Sequence, residues 1–344
     1  MPEGLEGGRG YPSSYAQFVA WFQSDAACLD YLDWTRWPGA FRCPECGARG
    51  YKLGDGCYEC GECHRRTSVT AGTIFVRTRL PLTIWFHAIW LFVGNKDGIS
   101  ALRLQSKLEL GSYHTAWAML AKTRSTLVNP GRDLLKGLVE VDESYYGGFS
   151  PGSPGRGQAA NKVPVIIAVE RRDPKGFGRC RLQVARNVRT DTLRQFLIDN
   201  VEPGSTVVTD GNTAYRRATQ GVYTHRSQVS PATEAHIWMP AVCRAAALSK
   251  RWLLSTHQGS VKRSHLQLYL DEYTFRFNRR KSRSRGLLFY RLLGLALEHE
   301  PVRYGDLIVK PRPDPENPPP PVPAQRRRAP SLALPAATRL WRAA

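Results

Sequence analysis

Apolar residues change their spacing twice along this chain. Over 82–93, 99–108 and 113–127 they recur every three or four positions, which predicts three helices, the last two joined at Gly111-Ser112 with Ser112 as the cap. From residue 138 the pattern turns into short runs of β-branched residues, the signature of buried strands. Leu138-Val139-Glu140-Val141 is the first, 163–171 and 179–185 form a hairpin around Asp173-Pro174-Lys175-Gly176, and Thr206-Val207-Val208-Thr209 and 223–228 follow. A helix over 190–200 interrupts the strands, and helical spacing returns over 242–255 and 264–277. Upstream, Phe18, Trp21, Phe22, Cys28, Tyr31 and Leu32 place one or two short helices within 15–37. No repeat is visible.

Between the early helices and residue 73 the chain is rich in Cys and Gly. Five of the eight cysteines lie from Cys43 to Cys63. Cys43-Pro44-Glu45-Cys46 and Cys60-Gly61-Glu62-Cys63 are two knuckles, and the 13 residues between Cys46 and Cys60 suffice for a hairpin that brings four thiolates to one tetrahedral zinc. Cys57 is either an extra thiol or a substitute ligand. All four positions of such a site are filled by protein, so its role is structural and in contact with DNA or protein.

Charge narrows the partner. Lys and Arg total 49 against 29 Asp and Glu, a formal net charge of +20 spread along the length, which favours a polyanion such as DNA. No stretch nears the roughly 20 apolar residues of a membrane span. Residues 1–10 lack the apolar core of a secretion signal, so the expected location is cytoplasmic, nucleoid-associated when bound to DNA. Beyond Lys310 the chain concentrates ten of its 24 prolines and Arg326-Arg327-Arg328, a composition expected to be disordered. The expected division is 1–13 flexible, 14–75 zinc ribbon with its preceding helices, 76–133 a helical, helix-turn-helix-like DNA-binding region, 134–310 a nuclease core and 311–344 the tail.

The chemistry lies in two aspartates 68 residues apart, Asp142 and Asp210, each at the end of an apolar strand. Hard carboxylate oxygens suit magnesium or manganese, and a pair of such ions activates one oxygen and stabilises another in phosphodiester cleavage. The order of elements around them is that of an α/β, RNase H-like mixed sheet. Two basic stretches are candidate DNA contacts: Lys122 and Arg124 on the helix after Ser112, and Arg276, Arg279, Arg280, Lys281 and Arg283, whose neighbouring aromatics are expected to pack inward.

Several motifs together resemble the ISXO-type insertion-sequence transposases from about residue 14 to 309. They are Phe41-Arg42-Cys43-Pro44-Glu45-Cys46-Gly47, Thr67-Ser68-Val69-Thr70-Ala71-Gly72-Thr73-Ile74-Phe75, Val141-Asp142-Glu143-Ser144-Tyr145-Tyr146-Gly147-Gly148, Thr209-Asp210-Gly211, Lys250-Arg251-Trp252-Leu253-Leu254, and Tyr269-Leu270-Asp271-Glu272-Tyr273-Thr274-Phe275-Arg276-Phe277-Asn278-Arg279-Arg280. The resemblance implies a zinc ribbon ahead of a DDE-type nuclease of RNase H-like fold. It also implies metal-dependent cleavage at the terminal repeats of an insertion sequence, strand transfer into target DNA, and a homo-oligomeric synaptic complex. Asp142 and Asp210 match the first two acidic ligands. Where the family carries Glu, Asn or His seven residues before a lysine, alignment on Lys250 puts Cys243, a soft ligand. Glu234 and His236 could substitute only if the loop before the helix folds back, and the alignment places Lys250 to touch a phosphate. The alternative is an impaired remnant that binds DNA without cutting it.

Overall fold

The computed structural model describes residues 6–54, 56–128, 131–147, 162–172, 176–227, 235–259 and 261–308. The tail, the turn residues Asp173, Pro174 and Lys175, and Glu234 lie outside the described residues. The N-terminal part comprises α1 (Tyr15–Trp21), α2 (Asp25–Arg36), a small sheet of β1 (Gly50–Gly54), β2 (Cys57–Cys60) and β3 (Arg66–Ser68), and helices α3 (Leu82–Gly94), α4 (Ala101–Lys107) and α5 (Tyr113–Ser125). Next come β4 (Leu138–Tyr146), β5 (Val163–Arg171), β6 (Phe177–Val184), α6 (Thr190–Asn200), β7 (Thr206–Thr209), α7 (Thr213–Thr219) and β8 (Thr224–Ser227). Helices α8 (Ala235–Trp238), α9 (Pro240–His257), α10 (Leu266–Asn278), α11 (Arg285–Glu298) and α12 (Tyr304–Ile308) follow. Among the described residues no helix is long and apolar enough to cross a membrane.

The five large strands lie in the order β6-β5-β4-β7-β8, antiparallel among the first three and parallel from β4 through β7 to β8. This is the mixed sheet of an RNase H-like fold. Both faces are covered, which is why β5 reads as an almost unbroken apolar run. Val165, Ile167 and Val169 pack with Tyr146 beneath α9 and α10, while Val139, Val141, Ile166 and Ala168 pack beneath α6 and α7. Each side chain buried in this way stabilises the fold by roughly 1.5–3 kcal/mol.

Side chains of α10 and the turn after it close the open edge of β6. Gln267 accepts from the Val184 N–H (2.7 Å) and donates to the Leu182 carbonyl (3.1 Å). Asn278 accepts from the Cys180 N–H (2.7 Å) and donates to its carbonyl (3.1 Å), and Arg280 donates to the carbonyls of Gly178 and Phe177. These groups occupy the ladder positions that a further strand would otherwise recruit.

Residues 6–13, within the stretch expected to be flexible, lie against the fold, where the Tyr31 hydroxyl donates to the Gly10 carbonyl (2.8 Å). Gly286 in α11 is covered by the Pro12 carbonyl, which would collide with any Cβ there. In turn, α11, absent from the sequence pattern, returns to the N-terminal helices. Its Phe289 meets Phe18 (5.3 Å), Phe86 (5.5 Å) and Trp90 (5.6 Å) in edge-on contacts that join both ends of the described chain in one aromatic core.

The expected recognition helix α5 is also largely covered, packing against α3, α4, α10 and α12. Ser112 occupies its N-cap position but makes no capping hydrogen bond, and the left-handed residue of the preceding turn is Glu109 (φ 51°), not Gly111. Arg124 is only 1% exposed; its Nε donates to Glu272 Oε2 (2.6 Å) and its guanidinium lies 4.2 Å from the Tyr269 ring centroid. Arg276 binds the other Glu272 oxygen (2.7 Å) and donates to the carbonyls of Asn95 (2.6 Å) and Phe92 (2.8 Å). A buried Arg–Glu–Arg cluster therefore ties α3 and α5 to α10. Arg124 and Arg276 are thus corrected from DNA contacts to internal struts. Arg279 is half-buried over Phe275 (4.1 Å), whereas Arg280 lies over Phe277 (4.2 Å), donates to backbone carbonyls and is itself exposed. Lys281 and Arg283 remain exposed, and Lys122 is half-buried.

Candidate metal centres and their surroundings

The four knuckle cysteines converge. Sγ atoms lie 3.6 Å apart for Cys43–Cys63, 3.4 Å for Cys46–Cys60 and 3.6 Å for Cys46–Cys63. Four sulfurs at 2.3 Å from a central zinc stand about 3.8 Å from one another, so the donor set and spacing fit a structural zinc. Backbone N–H groups lower the Cys60 and Cys43 thiols, while Cys46 and Cys63, despite such groups of their own, are pushed up by the neighbouring sulfurs, a crowding of thiolates that a bound zinc would relieve. Cys57 opens β2 and stands outside the group, which settles its alternative roles in favour of an extra thiol.

The second centre begins with strand pairing. β4 is bonded to β7 only through 138–140, whereas its pairing to β5 runs through 146. Asp142 is thus mid-strand rather than at a strand end, and the open place belongs to the shorter neighbour β7, which stops at Thr209. Asp210 begins the turn beyond it, where its Oδ1 accepts from the Asn212 N–H (3.0 Å) and Asn212 Oδ1 in turn caps α7 at the Ala214 N–H (3.0 Å). Asp142 folds back along its strand, accepting from the Glu143 N–H (2.9 Å). That bend lets consecutive residues meet. One carboxylate oxygen each from Asp142, Glu143 and Asp210 lies within 4.8 Å of the others.

Glu143 is the functional candidate that sequence reasoning missed. Its carboxylate accepts from Asn212 Nδ2 (3.2 Å) and the Tyr215 hydroxyl (2.8 Å), tying β4 to the turn that carries Asp210. The available signal was its adjacency to Asp142, which strand alternation argues against. Burial first, then the Glu143 charge and that of Asp210, push Asp142 up to about 7 against the opposing Glu143 N–H and Lys250. Three hard oxygens with such an excess of negative charge fit a divalent cation.

Helix α9 runs beside β4 because a second buried acid holds its start. Pro240 occupies the first turn and the Met239 side chain makes no cap bond; instead Glu140 Oε2 accepts from the N–H groups of Ala241 (2.7 Å) and Val242 (3.0 Å). An acid at a helix N-terminus is favoured by the helix dipole. This register brings Cys243 near Asp142, whose charge, after burial, raises the thiol; yet Cys243 lies outside the carboxylate group and packs against the apolar core under α9. Farther along, Lys250 sits with its Nζ 5.4 Å from the Tyr146 ring centroid and interacts with Asp142. Glu234 lies outside the described residues, as does the side chain of His236.

Together, an RNase H-like sheet with clustered strand acids and a four-cysteine ribbon ahead of it define a protein of the DDE transposase class. The ISXO2-like transposase domain family matches residues 134–278, and the transposase zinc-ribbon domain family matches residues 23–66. The chain thus carries both the zinc-ribbon and the DDE domain of the ISXO-type insertion-sequence transposases. A relative in Halobacterium salinarum, described as an uncharacterized protein in transposable element ISH50, is 27% identical over 282 residues, covering 74% of this chain and 91% of that one. A solved cryo-EM structure of a simian T-cell lymphotropic virus intasome with the PP2A regulatory subunit B56 gamma aligns at a TM-score of 0.26 and 13% identity. The match covers 53% of this chain and 62% of the length of that one.

Proposed function

We propose that this chain cuts DNA strands at the ends of an insertion sequence and joins the freed 3′ hydroxyl to target DNA. The observation that carries the reading is the convergence of Asp142, Glu143 and Asp210 where β7 ends beside β4. Asp142 and Asp210 would hold the divalent ions, with Glu143 as either a third ligand or the brace of the Asp210 turn. When bound, such ions would activate the attacking oxygen and stabilise the leaving one. The chain's own residues do the rest. Asp142 gives up its proton as the site loads, Lys250 neutralises a phosphate beside it, and Glu140 keeps α9 in register so that Lys250 faces the acids.

The exposed Lys281 and Arg283 and the zinc ribbon are the surfaces offered to DNA, whether terminal repeats or target. Synapsis of two ends calls for at least two copies of the chain. A second reading, DNA binding without cleavage, is favoured by Cys243 alone, since a thiol is a poor magnesium ligand. The test uses labelled duplexes copied from the DNA flanking the coding sequence, incubated with full-length protein and magnesium or manganese. Nicking that disappears in Asp210→Ala supports the enzyme. Binding without nicking in either metal supports the second reading instead.

A further inference from the structure

Past Lys250, on the side away from the acids, the seam between β4 and α9 opens into a cavity of about 450 Å³. Its walls are apolar: Leu253 and Leu254 from α9, Val163 from β5, and Val261 and Leu266 from the chain after α9. Three cations, Lys162, Lys250 and Arg263, line it as well, and no carboxylate does among the described residues. Lys162 and Lys250 repel one another across the opening, so the place is short of negative charge. Two side chains there are left exposed against their chemistry, Tyr145 (47%) and Leu254 (65%). Apolar walls, an aromatic rim and unbalanced cations form the combination that receives a base together with its phosphate.

We propose that this cavity takes one unstacked nucleotide of the DNA strand held at the carboxylates. The idea rests on the DNA-cutting function proposed above and adds to it a specific subsite. Distance supports the pairing. Tyr145 is three residues along β4 from Asp142, about 10 Å at strand rise, which spans about three stacked nucleotides at 3.4 Å each. Lys250 contributes to both places, facing Asp142 on one side and lining the cavity on the other. A duplex passing the acids would reach the cavity only by turning a base out of the stack, which costs least at a strand end or a distorted step.

The experiment places 2-aminopurine, whose fluorescence rises when it leaves the stack, singly at each position within five nucleotides of the cut. The duplex is one that unmutated protein nicks, and the protein is the full chain carrying Asp210→Ala so that the DNA stays intact. A several-fold rise confined to one position within about three nucleotides of the cut is expected. The same rise should vanish when Tyr145→Ala or Leu254→Glu is added, while fluorescence anisotropy still reports bound duplex. Both substitutions fall on exposed side chains and should leave the thermal melting of the chain unchanged. A flat profile on saturated DNA overturns the proposal, and so does an undiminished rise in both variants. If unmutated protein nicks no flanking duplex, the function itself fails and this subsite falls with it; nicking with a flat profile removes the subsite alone.

Discussion

Carboxylates are withdrawn from water at two places in this protein, and their company differs. Glu272 is 0% exposed, yet Arg124 and Arg276 hold it below the ordinary carboxylate range against the upward push of burial. Asp142 is also largely withdrawn from water, but its near neighbours Glu143 and Asp210 carry the same sign, and it is pushed up to about 7. One cluster is balanced inside the fold and holds helices together. The other is offset only in part, by Lys250, and keeps an excess of negative charge that a bound cation would compensate. Charge balance, rather than burial or the number of acids, separates the joint from the candidate active centre.

The contrast is broken most sharply by removing one acid from each cluster. Asp142→Ala is expected to lower strand cleavage by about a thousandfold or more while the metal-free melting temperature holds or rises, since it deletes a repelled charge. Glu272→Ala is expected to do the reverse to the fold, costing ~3–5 kcal/mol by leaving Arg124 buried without its partner. Chemical denaturation with and without manganese checks both. If Glu272→Ala leaves stability unchanged, the cluster is not a joint.

A pH series sharpens the same contrast at intermediate size. Because Asp142 is raised from 3.8 to about 7, it keeps its proton in the fold over a window in which the unfolded chain has lost it. Stability of the metal-free protein should therefore fall as pH rises through that window. A divalent ion must displace the proton below about pH 7, so manganese affinity measured by titration calorimetry should increase by about tenfold per pH unit up to that point. A pH-independent affinity would remove Asp142 from the ligand set. The smallest expected effect concerns the exposed cations. Lys281→Ala and Arg283→Ala should each lower the slope of log affinity for DNA against log salt by about one, read by anisotropy between low and moderate salt.

Much of this fold was legible in the sequence. The strand 163–171 and the helix 190–200 coincide with their periodic patterns because each is long and faces a core over its whole length. The doubled knuckle announced the ribbon, since local spacing alone delivers its thiolates. Helix α7 was missed because it is short and begins inside the turn that holds Asp210, and α11 because nothing in its sequence says that its apolar face pairs with residues almost the whole chain away. The basic stretch from Arg276 misled for a related reason. Arginine is as able to bond a buried carbonyl as a phosphate, and residue type does not distinguish the two.

By itself, then, the sequence determined the zinc ribbon, the longer strands and helices, the family resemblance and the two candidate aspartates. These follow from short-range periodicity and from motifs whose residues act close together in the chain. Only the tertiary structure decided that Glu143 joins Asp142 and Asp210, that Cys243 stands aside, that Glu140 starts α9, and that Arg124 and Arg276 face inward. Each of those outcomes depends on which remote groups end up adjacent and whether their charges cancel, and neither is a property of any local stretch of residues.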